Sequence, residues 1–563
     1  MTEQGIFRDL PLLGATLLCL ALVVFVPPAD GHPAHAKPVN YPFVVGFERF
    51  HSGLDDDDYL AEGGFILLDE LNCVSCHEPP KALREQLTGT IATDLTGAAT
   101  RLSHVNLEIM IRNPRFVKRD TTMPSLFAGP DRDMEEVEAL KHYLATLTYD
   151  VPDYPTGDIE RGRSFYHTVG CVACHAPEVG YRPPGIPENP EIELTGLPSV
   201  PMNLADLYTI DALAHFLLNP REHRPSGQMP DFKLSQEEAL DLAAYLKAGP
   251  DLILPKNLTE ALNDPNSFEI DPALVELGRE VFRSKNCSAC HTEPGGNGKR
   301  TTGRAIPLAD LPPDSRSGCL SERPTSGGIP FYGLDEVQKR AITAALQRLE
   351  GRAKFDRAAQ IDWRMKTLNC YACHERGGVG GPEIARESYF GFADEKAIAL
   401  GRWGHLPPAL DHVGAKLTND WMERILTGLR GGGEVRPYMT ARMPLYLDRD
   451  TEWFANNFSK VDEVKGEKAA LNGNADSGEP LVGAEGKNCQ QCHPIGPTPS
   501  SDLPGINLAT SPERLQQNYF RQLLLDPQTL QPGTMMPDQF ESDPENLRQI
   551  SGLWKYLKSL PAE

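Results

Sequence analysis

Apolar positions recur at three- and four-residue intervals over residues 134–147, 236–246 and 546–557, a spacing that lays them along one face of an α-helix. Shorter helix-like stretches lie at 211–218 and 515–525, and Trp421-Met422-Glu423-Arg424-Ile425-Leu426 reads the same way. Near the N-terminus, residues 12–26 form an unbroken apolar stretch, short for a bilayer span.

That stretch is followed by Ala34-His35-Ala36, a small-x-small cleavage pattern, so residues 1–36 read as an export signal. The first eleven residues carry Arg8 against Glu3 and Asp9 and lack the usual basic excess, so an uncleaved anchor is the alternative. Cys19 follows Leu18 rather than a small residue and does not mark a lipoprotein. No later segment is long and apolar enough to span a membrane. Membrane association is expected only if the N-terminal segment is retained; otherwise the expected location is periplasmic.

The chain has 563 residues, too many for one core, and a net charge of −23 from 55 basic and 78 acidic side chains. That balance argues against nucleic acid, which needs a basic footprint. It fits a solvated acidic surface and permits docking to a basic partner.

The twelve cysteines carry the chemistry. Ten form five C-x-x-C-H motifs: Cys73-Val-Ser-Cys76-His77, Cys171-Val-Ala-Cys174-His175, Cys287-Ser-Ala-Cys290-His291, Cys370-Tyr-Ala-Cys373-His374 and Cys489-Gln-Gln-Cys492-His493. On one helical turn, positions i, i+3 and i+4 share a face. Two thiols there can each bond a porphyrin vinyl group, and the adjacent histidine then meets the iron. A disulfide framework would not need a histidine after every pair, and a structural zinc site would need the pairs to converge in fours. Five covalently bound haem c groups are therefore expected, with His77, His175, His291, His374 and His493 as proximal iron ligands.

The motifs sit in a repeat. Gly64, Gly162 and Gly278 each lie nine residues before the first cysteine, and Leu68, Tyr166 and Phe282 lie five before it. Downstream, [Asn/Asp]-Pro-x8-Met-Pro recurs at Asn113-Pro114 to Met123-Pro124, Asn219-Pro220 to Met229-Pro230 and Asp526-Pro527 to Met536-Pro537. A fourth version reaches Arg442-Met443-Pro444 through a glycine-rich insertion. One module thus reads helix, C-x-x-C-H, loop, helix, Met-Pro loop, final helix.

This order resembles class I cytochrome c domains over nearly all of the chain after the signal. The resemblance implies tandem all-α domains, each wrapped around a haem, and a function in electron transfer. The linkers set boundaries at 37–150, 151–250, 265–352, 353–471 and 476–563, the third module being atypical. A methionine thioether is a soft sixth ligand, and the following proline keeps it out of a helix. Met123 is assigned to the first haem, Met229 to the second, Met443 to the fourth and Met536 to the fifth, with Met439 and Met535 as near competitors.

The third haem departs from the pattern. Between His291 and Cys370 there is no histidine, and the one methionine, Met365, sits in the helix register of Leu68, Tyr166 and Phe282. Its sixth site is left open, filled from another module, or filled by Cys319, whose plain reading is a small buried residue. His51, His104, His142, His167, His215, His223, His405 and His412 are spare and read as surface or haem-edge residues. Gly381-Pro382 and Gly496-Pro497 follow their motifs closely; the resemblance implies a backbone carbonyl in that loop accepting from the proximal imidazole. The acidic run 55–58 reads as a helix lead-in.

The leading expectation is an exported pentahaem electron carrier serving redox partner proteins. The alternatives are a peroxidase-like haem enzyme with an open site at the third haem, or the electron-accepting subunit of a dehydrogenase complex. No P-loop, dinucleotide fingerprint or zinc-protease motif is present.

Overall fold

A computed structural model of the chain describes residues 39–53, 56–127, 134–183, 198–202, 208–248, 268–292, 305–313, 316–325, 329–350, 352–428, 435–464 and 470–561. The signal segment 1–36 and the glycine-rich insertion at 429–434 lie outside them. The protein is mostly helical. Among the described residues the strands are one two-stranded hairpin, in which Glu375 pairs with Gly380 and Arg376 with Val379. No described helix is long and apolar enough to cross a membrane.

The expected helices form at Met134–Ala145, Ile210–Leu218, Gln236–Lys247, Gln517–Leu525 and Pro544–Ser559, ends agreeing to within about two residues. Local chemistry sets the ends. Ser235 and Glu238 form a capping box at Gln236–Lys247, and Asp335 and Gln338 form another at Glu336–Gln347. Asp158, Asp271 and Asp356 cap the helices that lead into the second, third and fourth motifs. Asp56 caps Asp57–Glu70, so the acidic run opens a helix as expected.

Each motif-bearing helix crosses a partner helix at close range. Ile159–Thr168 packs on Gln236–Lys247, where a Cβ on Gly162 would collide with the Asp241 carbonyl. Arg357–Thr367 packs on Asp448–Val461, with Ile361 and Met365 buried against Phe454 and Phe458. Pro544–Ser559 closes over Ala475–Ser477 and Glu479–Val482. These three pairings join helices of the same sequence module.

The first and third modules exchange their halves. Asp57–Glu70, which leads into Cys73, packs not on Met134–Ala145 but on Glu336–Gln347. A Cβ on Gly64 would strike the Ala341 carbonyl. Conversely, Pro272–Ser284, which leads into Cys287, packs on Met134–Ala145, with Gly278 against Ala139 and Tyr143. The cores follow the same division. One joins Phe47, Leu60, Leu68, Leu83 and Cys73 to Leu308, Tyr332, Ile342 and Leu346. The other joins Leu107, Phe127, Leu140 and Tyr143 to Val281, Phe282 and Cys287.

Polar ties reinforce the exchange. The Tyr332 hydroxyl donates to the Leu71 carbonyl at 2.7 Å, and fully buried Gln338 donates to the Pro42 carbonyl at 2.7 Å. The sequence boundaries 37–150 and 265–352 therefore cut across two packed units, and a strict tandem order fails at these two modules. The physical reason is that all three Gly-bearing helices offer the same small-residue crossing surface, so sequence periodicity does not select the partner.

Candidate functional site

All five motifs fold into the same tight turn. Cys73–Cys76 is one α-helical turn, and Cys171–Ala173, Cys287–Ala289, Cys370–Ala372 and Cys489–Gln491 are 3₁₀ turns. In each, the histidine backbone N–H donates to the first cysteine's carbonyl at 2.9–3.0 Å, which places both thiols and the imidazole on one side. The residue before the first cysteine has a positive φ: Asn72 (59°), Gly170 (124°), Asn286 (59°), Asn369 (55°) and Asn488 (54°). Asn and Gly tolerate that left-handed backbone best. This Asn/Gly-Cys signal was present in the sequence and went unread.

Every motif histidine is oriented by a backbone carbonyl. Nδ1 lies 2.7 Å from Ile306 O for His77, 2.9 Å from Val200 O for His175 and 2.9 Å from Thr93 O for His291. For His374 it is 2.7 Å from Pro408 O, and for His493 it is 2.9 Å from Ile506 O. The last two acceptors correct the expectation from Gly381-Pro382 and Gly496-Pro497, since the carbonyl comes from farther along the chain. With Nδ1 donating, Nε2 keeps its lone pair for a metal.

These residues fit haem c. None of the ten motif cysteines is joined in a disulfide. Burial pushes Cys171, Cys287 and Cys370 up to about 12, so they stay protonated. Thiols outside any disulfide, beside a Nδ1-anchored histidine, are what two thioether bonds and one axial ligand require. Among the described residues no other cluster of His, Cys, Asp or Glu could hold a metal.

Three assigned methionines share a core with their own motif: Met229 with Cys171 and Tyr166, Met443 with Cys370, and Met536 with Cys489. Met535 is 57% exposed, which separates it from Met536. Met439 instead forms a backbone bridge to Phe392. Met365 is fully buried in the fourth motif's core, as its register implied. Met123, expected at the first haem, precedes Leu126 and Phe127, which pack with Phe282 and Cys287 of the third motif.

The motifs also meet one another. Asn286 Nδ2 approaches Cys76 Sγ at 3.9 Å, so the third motif lies against the first. Asn369 Nδ2 approaches Cys174 Sγ at 3.1 Å, and Ala173, Cys174, Ala372, Cys373, Phe390 and Leu406 form one small core between the second and fourth. Fully buried Arg386 pins that junction. Its Nη1 donates to Val172 O (2.6 Å) and Ala173 O (3.0 Å), its Nη2 to Ser199 Oγ (2.6 Å), and its Nε faces Glu383 (3.2 Å). The fifth unit joins the fourth through a Leu417–Leu515 backbone bridge.

The spare histidines are less exposed than expected. His51, His142, His167 and His223 are buried. His223 lies between Arg101 and His215, tying the second module to the unit of the third motif, and its pKa falls to about 4, chiefly through burial.

The model of the cytochrome c family matches residues 159–249, which contain the second motif and Met229. A curated relative, the cytochrome c subunit of the cytochrome bc1 complex of Corynebacterium diphtheriae, is 34% identical over 85 residues. The match covers 14% of this chain and 30% of that subunit, so the chain spans less than a third of the relative's length. No solved structure matches the chain. Together with the shared attachment turn, the family match and the relative support a c-type cytochrome.

Proposed function

We propose that this protein is an exported pentahaem cytochrome that relays electrons between external redox partners. The observation that carries the reading is the repetition of one attachment turn five times, with a carbonyl-anchored histidine in each. Cys73 and Cys76, Cys171 and Cys174, Cys287 and Cys290, Cys370 and Cys373, and Cys489 and Cys492 would hold the haems. When bound, each haem supplies a one-electron couple at its iron.

The chain's own residues do the rest. They exclude water from the motif turns, fix each imidazole through Nδ1, and supply a soft sixth ligand from Met229, Met443 and Met536. Met123 is reassigned to the haem of the third motif. The Asn286–Cys76 and Asn369–Cys174 approaches support two close pairs, first with third and second with fourth, with the fifth reached through the fourth. Short separation between neighbouring haem edges is what a relay needs. Partners are soluble or membrane-held redox proteins met through weak, transient surfaces.

The test is a pyridine haemochrome count with intact-mass analysis of protein matured outside the cytoplasm, followed by a potentiometric titration. Five haems per chain and a multistep one-electron titration are expected. A count below five, or motif cysteines that still alkylate in the denatured protein, would refute the reading.

A further inference from the structure

The exchange of halves changes which haem lacks a methionine. In the second and fourth units, the residues after the Met-Pro pairs form a backbone bridge, Asp231 with Leu445, with N···O distances of 3.1 and 2.7 Å. The first and third motifs have the same bridge, Ser125 with Phe331, at 2.9 and 3.0 Å. Ser125 follows Met123-Pro124, so its symmetric counterpart is Ile329-Pro330-Phe331. Ile329 stands where the other units carry methionine. The segment it belongs to folds with the first motif, through Leu308, Tyr332 and Leu334.

The rest of that half offers no replacement of the same kind. Residues 292–350 contain neither histidine nor methionine. The third motif's returning half carries helices Ala98–Arg101, His104–Arg112 and Pro114–Val117 before its Met-Pro. Before Ile329, the first motif's returning half has only the turns Leu308–Asp310 and Gly318–Leu320 among its described residues. Ile329 itself is 39% exposed. His51, the other histidine of the motif's own half, holds Nδ1 2.9 Å from the Tyr59 carbonyl and its ring against Tyr59.

We infer that the haem held by Cys73, Cys76 and His77, rather than that of the third motif, has a methionine-free distal face and binds a small, diatomic-sized exogenous ligand there. This rests on haem being attached at the motifs, which the haemochrome count reads separately. Cys319 packs against the same core, but it is the missing thioether at Ile329 that opens the position.

The probe is carbon monoxide, titrated optically into the fully reduced five-haem protein. One carbon monoxide per chain is expected. Binding should vanish in Cys73→Ser/Cys76→Ser, which carries four haems, and persist in Cys287→Ser/Cys290→Ser. Ile329→Met, which keeps five haems, should abolish binding by restoring a thioether. Cys319→Ala should bind one carbon monoxide as the parent does. No binding in the five-haem parent, binding that follows the third motif, undiminished binding in Ile329→Met, or loss of binding in Cys319→Ala would each overturn the inference. A first motif found without haem in the parent would fail the underlying reading instead, visible as a count of four.

Discussion

Truncating Phe282 separates exchanged from tandem packing. Its side chain is 2% exposed and meets Tyr143 edge-on, with ring centroids 5.8 Å apart, in a core that joins Val281 and Phe282 to Leu107, Phe127, Leu140 and Tyr143. Phe282→Ala removes that ring where the helix pair leaves no room to collapse, because Gly278 already sits against Ala139. Buried Phe→Ala changes cost about 3–5 kcal/mol. At about 1.4 kcal/mol per decade, the local opening constant rises roughly a hundredfold to a few thousandfold. Amide hydrogen exchange read by mass spectrometry on the haem-loaded protein resolves where that opening occurs. Protection should fall in peptides covering 272–284 and 134–145, and stay unchanged in 57–70 and 336–347. A double-mutant cycle with Tyr143→Ala should return a coupling of about 0.5–1.5 kcal/mol. Lost protection in 336–347 with 134–145 unaffected, or strictly additive mutants, would refute the exchange.

Four further outcomes follow. Gly64→Val forces a side chain into the Ala341 carbonyl, an overpacking cost of about 1–3 kcal/mol or more, and should lower the melting temperature and the haem content of the first motif while leaving the second intact. Arg386→Ala strips the donors from Val172, Ala173 and Ser199 and leaves Glu383 paired with Arg49 alone; it should destabilise the junction of the second and fourth units by about 1–3 kcal/mol, read as a lower urea midpoint. Burial, and then Asp335, push Glu48 up from 4.5 to about 7. The folded state then holds the proton more tightly, so stability falls as pH rises through that window, by roughly 3 kcal/mol. Melting curves of Glu48→Gln between about pH 4 and pH 8 should lose that slope. Met536→Ala should convert one haem to a high-spin, lower-potential form in electron paramagnetic resonance and redox titration, whereas Met535→Ala should not.

The attachment chemistry was legible because it is local. Two thiols and an imidazole at i, i+3 and i+4 share a face whatever surrounds them, and Asn or Gly before the first cysteine permits the left-handed entry. Helix positions were legible for the same reason, since caps such as Ser235 and Asp335 and the apolar spacing act within a few residues. The carbonyl partners of His77 and His291 were not legible, because Ile306 and Thr93 come from a different sequence module.

The sequence by itself thus determined five C-x-x-C-H turns, a mostly helical chain and a methionine-proline pattern with one gap. Only the tertiary structure decided which half closes over which motif, and therefore that the gap, Ile329, belongs with Cys73 rather than with Cys287. The physical reason lies in the crossings. Gly64 and Gly278 expose equivalent small-residue surfaces, and Ala341 and Ala139 offer equivalent carbonyls to receive them. Sequence pattern does not distinguish such partners. The choice is made by close packing between distant parts of the chain, through contacts such as Tyr332 on Leu71, 261 residues apart, and Phe282 on Tyr143.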